Sequence, residues 1–122
     1  MSKGLPTVPE AGLLNHLVET IQDAPNGLDP RILSVYYKKI EKDSKILCPT
    51  DELRNSISVI QNPQLPMKFE FKASKRAMPY VLQAIESNLN SMPFATKLYF
   101  QKFEEILEKE YTRYAQKTNS TY

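Results

Sequence analysis

The sequence predicts a mainly α protein, a compact bundle of four or five helices with one short strand or β-bridge near residues 67–73. Three observations carry this. Five of the nine prolines, Pro9, Pro30, Pro49, Pro79 and Pro93, each stand at the head of an amphipathic run. Proline is tolerated in the first turn of a helix and breaks its interior. From Pro93 to about Lys117 the chain has no glycine or proline and keeps a helical period. Only Met67–Ala73 alternates apolar and charged residues strictly, as a half-buried strand does.

Thr7-Val8-Pro9-Glu10 reads as a capping box that opens a first helix, with Leu13, Leu14, Leu17, Val18 and Ile21 on one face. Asp23-Ala24-Pro25-Asn26-Gly27 stops it with turn residues. Asp29-Pro30 opens a second helix, a cap followed by proline at the first helical position. Its apolar stripe is Ile32, Leu33, Tyr36, Tyr37 and Ile40. From Arg31 to Lys45 the segment carries five basic residues, diluted by Glu41 and Asp43.

Pro49-Thr50-Asp51-Glu52 predicts a third helix start, with Leu53, Ile57 and Ile60 at helical spacing, and Asn62-Pro63-Gln64-Leu65-Pro66 ends it. The strand at 67–73 then needs a partner, since a lone strand leaves its backbone groups unpaired. Lys45-Ile46-Leu47-Cys48 is one candidate, through a right-handed parallel crossover. The same strand of a second molecule is the other. Met78, Val81, Leu82, Ile85 and Leu89 mark a fourth helix near Pro79.

The final helix places Tyr99, Phe100, Phe103, Ile106, Leu107, Tyr111 and Tyr114 in one arc, with Glu110 inside it as a charged exception. Phe94, Ala95 and Leu98 lie on another side. A chain of 122 residues fits one domain, here 1–122 with loose ends at about 1–6 and 118–122.

A net charge of +2 does not by itself imply a nucleic-acid or membrane partner. Cys48 is the sole cysteine, so no intrachain disulfide can form, which points to a reducing compartment. The start of the chain lacks the apolar run of a signal peptide, and no stretch is apolar enough to cross a bilayer. A cytoplasmic location and no membrane partner are the expectation. The sequon Asn119-Ser120-Thr121 then reads as chance.

No motif marks an enzyme. His16, the sole histidine, reads as a solvated helix residue rather than a base or ligand, because both roles need convergent partners. A Cys48–His16 dyad has no local support. Cys48 beside Pro49 could have a lowered pKa at a helix start, but a small half-buried cysteine is the simpler reading. Glu104, Glu105, Glu108 and Glu110 spread around the helix among lysines, as a solvated face does. The three glycines form no phosphate loop and no Gly-x-Ser-x-Gly elbow occurs, so no cofactor and no metal are expected.

Two binding readings remain. The first is a non-catalytic protein-interaction module, an assembly factor, adaptor or small subunit of a larger complex. Its partner is another protein or a second copy in a homodimer. Its candidate contacts are Tyr99, Phe103, Leu107, Glu110, Tyr111 and Tyr114, because aromatic stripes serve either as core or as interface. Tyr111, Tyr114 and Tyr122, near the chain end, are the better interface candidates.

The alternative is a nucleic-acid-binding module using Lys68, Lys72, Lys75 and Arg76 beside Phe69 and Phe71. Alternation along a strand argues against it, since it buries the rings and solvates the lysines on opposite faces. A helix-turn-helix followed by one strand resembles a winged-helix layout. The second wing strand is missing, because Ser74-Lys75-Arg76 leads straight into a helix.

Overall fold

A computed structural model describes residues 16–119, with side chains described through residue 112. Four helices and a three-stranded antiparallel sheet make a mixed α/β fold. The strands are β1 (Leu17–Asp23), β2 (Ser58–Gln61) and β3 (Lys68–Ser74). The helices are α1 (Pro30–Leu47), α2 (Asp51–Asn55), α3 (Met78–Leu89) and α4 (Phe94–Asn119), with a 3₁₀ turn at Lys75–Ala77. The expected helical bundle with one strand is therefore corrected: β3 is the centre of a sheet ordered β1-β3-β2.

Register explains the sheet. Leu17 lies opposite Ser74 and Asp23 opposite Lys68 on one side of β3; Ser58 lies opposite Lys72 and Gln61 opposite Phe69 on the other. Both partners come from this chain, and both run antiparallel to β3. The candidate parallel strand at 45–48 is instead the last turn of α1 and its C-cap, Cys48.

The expected first helix is corrected over its described part. Leu17, Val18 and Ile21 belong to β1, while Leu13 and Leu14 lie outside the described residues. A run with Val18, Thr20 and Ile21 favours a pleated surface, and the i, i+4 spacing of Leu17 and Ile21 fits a strand face as well as a helix face. Val18 is buried while Leu17 and Ile21 stand exposed on the outer face.

The expected third helix stops after α2. Ser56 caps it, and its hydroxyl also accepts from the Ser74 amide at 3.2 Å, tying the turn to the end of β3. Ile57 and Val59 then point inward with strand periodicity. Asn62–Met67 is the β2–β3 loop. The Asn62 carboxamide accepts from the Gln64 and Leu65 amides at 2.8 and 2.9 Å, so the two prolines sit in an Asx-type turn. The strands that pair with β3 therefore both lie upstream of it.

The proline signals hold where they can be seen. Pro30 follows the Asp29 cap, whose side chain accepts from the Arg31 amide at 2.9 Å. Pro49 precedes the Thr50 cap, Pro79 sits in the first turn of α3, and Pro93 precedes α4. Pro9 lies outside the described residues. Between β1 and α1, Gly27 has φ of +94° within a turn closed by Leu28 N donating to Pro25 O at 3.1 Å. A residue with a side chain is strained at that φ.

The core is aromatic at its centre. Tyr37 of α1 stacks on Phe69 of β3 with ring centroids 4.8 Å apart. It meets Phe100 and Phe103 of α4 edge-on at 4.9 and 5.3 Å. Phe103 also stands edge-on to Phe71 at 5.4 Å, so one helix locks the other to the sheet. Met78, Val81, Ala84 and Ile85 of α3 complete the buried cluster.

Candidate interaction site

Four buried side chains, Leu33, Tyr37, Ile40 and Ser44, define the inner line of α1. At 3.6 residues per turn the flanks are then fixed. On one flank, Glu41 accepts from the Val59 amide of β2 at 3.4 Å and pairs with Lys45 at 3.6 Å. On the other, Tyr36 donates to Ser91 O at 2.9 Å, and Asp43 accepts from the Asn88 side chain of α3 at 2.9 Å. Both acids that dilute the basic segment in the sequence are thus engaged sideways by the protein's own framework.

The outward face keeps Arg31, Ile32, Val35, Lys38, Lys39, Lys42 and Ile46, all exposed. Arg31 is paired with Asp29 at 3.2 Å, and Lys39 lies over the Tyr36 ring, 5.7 Å from its centroid. Lys38 and Lys42 have no ion-pair partner among the described residues. At the C-terminal end of α1, Arg54 donates to Lys45 O at 3.1 Å and Cys48 O at 3.4 Å, and pairs with Asp51. A guanidinium there satisfies carbonyls that the helix end leaves without partners.

Ile46 stands as a ridge between two open hollows. One of about 570 Å³ is lined by Glu41, Lys42, Lys45, Ile46 and Arg54. The other, of about 270 Å³, is lined by Asp43, Ile46, Leu47, Gln83 and Ser87. The surface is therefore apolar in relief and basic at the rim.

The aromatic stripe of α4 lies elsewhere. Phe103 and Leu107 are fully buried in the core. Tyr99 and Tyr111 pack against it, and the Tyr99 and Tyr37 hydroxyls share a hydrogen bond at 2.8 Å. Glu110 is half-buried, and its carbonyl accepts from the Lys75 ammonium at 2.8 Å. The Tyr114 side chain and all of Tyr122 lie outside the described residues.

The four basic residues of the nucleic-acid reading do not converge. Lys68 pairs with Asp23 at 2.8 Å and Lys72 with Glu19 at 3.6 Å, both on the outer sheet face. Lys75 is only 6% exposed and points toward α4, while Arg76 is half-buried. Phe69 and Phe71 are buried beneath the helices, leaving no stacking platform on that strand.

His16 is exposed ahead of β1, and its carbonyl accepts from the Lys75 amide at 3.0 Å. Cys48 is buried, and burial pushes its thiol pKa up despite the nearby Arg54 charge, contrary to the lowering a helix start would give. On α4, burial raises the Glu104 carboxyl to about 7, reinforced by the hydrogen bond it donates to Glu86 when protonated and by the Glu86 and Glu108 charges. No group of three His, Cys, Asp or Glu among the described residues is placed to hold a metal. No helix among them is long and apolar enough to cross a membrane.

The signal for the α1 face is present in the sequence. On a helical wheel Glu41 and Asp43 fall on the flanks while Lys38 and Lys42 fall opposite the core line. Counting charges along the segment conceals this; resolving them by angle shows it. Comparison with protein-family models, curated proteins and solved structures gives no match.

Proposed function

We propose that this chain is a non-catalytic protein-interaction module, a small subunit or assembly factor, acting inside the cell, and that it docks through the outward face of α1. The observation that carries the reading is the exposure of three apolar side chains on that one face: Ile32 at 42%, Val35 at 59% and Ile46 at 67%. Scattered exposed apolar residues need no explanation, but these three share one helix face, and Ile46 lines the hollows beside it. The α4 stripe does not compete for this role, since Phe103 and Leu107 are spent on the core. A buried, unpaired Cys48 supports an intracellular setting.

The test is a tagged pull-down from the native cell extract, with nuclease present, comparing the wild type with Val35→Ser/Ile46→Ser. Both positions are exposed, so folding should be preserved. A stoichiometric protein lost from the double variant, yet kept by a variant of exposed Phe94 on α4, supports the reading. Equal recovery with the α1 variant overturns it.

A further inference from the structure

We infer that the occupant of the α1 face is an acidic protein segment that seats one large apolar side chain in the hollow between Ile46 and Arg54. The inference rests on α1 being the docking face and adds the chemistry of the partner.

Charge is the first argument. Arg31, Lys45 and Arg54 are each matched by an acid of this chain, Asp29, Glu41 and Asp51 respectively. Lys38, Lys39 and Lys42 have no acid partner among the described residues, Lys39 lying over the Tyr36 ring, on a face from which Glu41 and Asp43 are drawn to the flanks. Lys38 and Lys42 are one helical row, four residues apart, so they rise about 6 Å along the axis. Carboxylates two residues apart on an extended segment, or four apart on a helix, match that spacing.

Relief is the second argument. The hollow of about 570 Å³ has Ile46 on one wall and the stems of Lys42, Lys45 and Arg54 on the others, with Glu41, whose charge Lys45 pairs at 3.6 Å, completing the lining. Long basic side chains present apolar stems below charged heads. Such a site rewards a ligand that brings an apolar group and negative charges together. An acidic segment bearing Leu or Phe does this. A phosphate backbone brings the charge without the apolar group, and would leave Val35 and Ile46, exposed at either end of the lysine row, uncovered. The depletion of acids around an apolar centre also suppresses basic partners, which gives the face selectivity.

The experiment titrates the isotopically labelled full chain and follows its backbone amides by NMR. Three probes are used: a capped 15-residue peptide alternating Glu with Leu and Phe, the same peptide with Gln for Glu, and a short DNA duplex. The acidic peptide is expected to move amides across residues 38–54 and to bind more weakly as salt is raised. Lys38→Glu/Lys42→Glu, at two exposed positions, should weaken it by about tenfold while leaving the remaining amide spectrum in place. If the Gln peptide binds the same amides equally well, the face is a docking surface but the acidic partner is wrong. Tighter binding of the duplex at those amides would replace the protein segment with a nucleic acid. Unmoved α1 amides at millimolar acidic peptide also overturn the inference, whereas the Val35/Ile46 pull-down separately decides whether α1 docks a protein at all.

Discussion

Phe103→Leu tests the assignment of the α4 stripe to the core. Phe103 is fully buried and makes three edge-on ring contacts, with Tyr37 at 5.3 Å, Phe71 at 5.4 Å and Phe100 at 6.2 Å. An aromatic pair contributes about 0.5–1.5 kcal/mol beyond area burial, and the three share one ring, so the low end applies to each. Leucine keeps most of the apolar volume but leaves a small void. Together these give a loss of about 2 kcal/mol. The assay is equilibrium unfolding in urea. With a slope of about 1.5 kcal/mol per molar, the midpoint should fall by about 1.3 M at unchanged slope. A loss under about 0.5 kcal/mol would refute the reasoning, because it would mean the ring is not packed between α1 and the sheet. Phe103→Ala should cost about 3–5 kcal/mol, much of a small domain's total stability.

Tyr37→Phe removes the buried hydroxyl pair with Tyr99 and should cost about 1 kcal/mol in the same urea assay. Burial holds the Tyr37 phenol protonated well above its ordinary value of 10.0, with Tyr99 adding to the effect. The unfolded chain ionises near pH 10 and the folded one does not, so stability should fall as pH rises above that point, less steeply in the Phe variant. Glu104→Gln acts at the acid end. The carboxyl titrates at about 7 when folded against 4.5 in the open chain, so its neutral form favours the fold. That contribution is full below pH 4.5 and is lost as pH rises through 7, so the Gln variant should gain stability at pH 8 and match wild type at pH 4 in thermal melts. Glu86 shares the proton and solvent screens the carboxyl, so the gain is on the order of 1 kcal/mol. Thr20→Val removes a buried hydroxyl that has no hydrogen-bond partner among the described residues, and should raise the urea midpoint by an amount equal to about 1 kcal/mol.

What could be read from the sequence depended on how far each element carries its own signal. α1, α3 and α4 were legible because each combines a start signal with a long amphipathic repeat, which short-range sterics alone enforce. β3 was legible because Phe69, Phe71 and Ala73 alternate with Lys68, Glu70 and Lys72. β1 and β2 were not. β2 has four residues, too few to show a period, and its Ile60 sits three residues after Ile57, a spacing that a helix shares. β1 presents Ile21 to solvent, so its apolar residues do not mark one face. These segments are strands because β3 needs two partners, and that demand is long-range.

The candidate surface was legible only by angle around α1, and what fixes its two acids is long-range. The charges of α1 were in view, but Glu41 is drawn to one flank by the Val59 amide and Asp43 to the other by Asn88. Neither partner is near in sequence. The aromatic stripe of α4 was seen correctly as a stripe, and what it packs against, Tyr37 and Phe71, lies on two other elements.

The strand order β1-β3-β2 has a consequence for synthesis. Both edge strands leave the ribosome before the central one. Until residue 74 has emerged, β1 and β2 hold unpaired backbone edges and no template to pair with, and the Tyr37 ring has no Phe69 to stack on. The four aromatic anchors of α4 follow later still. A nascent chain halted at residue 66 therefore contains α1 and two strands yet has no sheet, so the domain must form late and in one cooperative step.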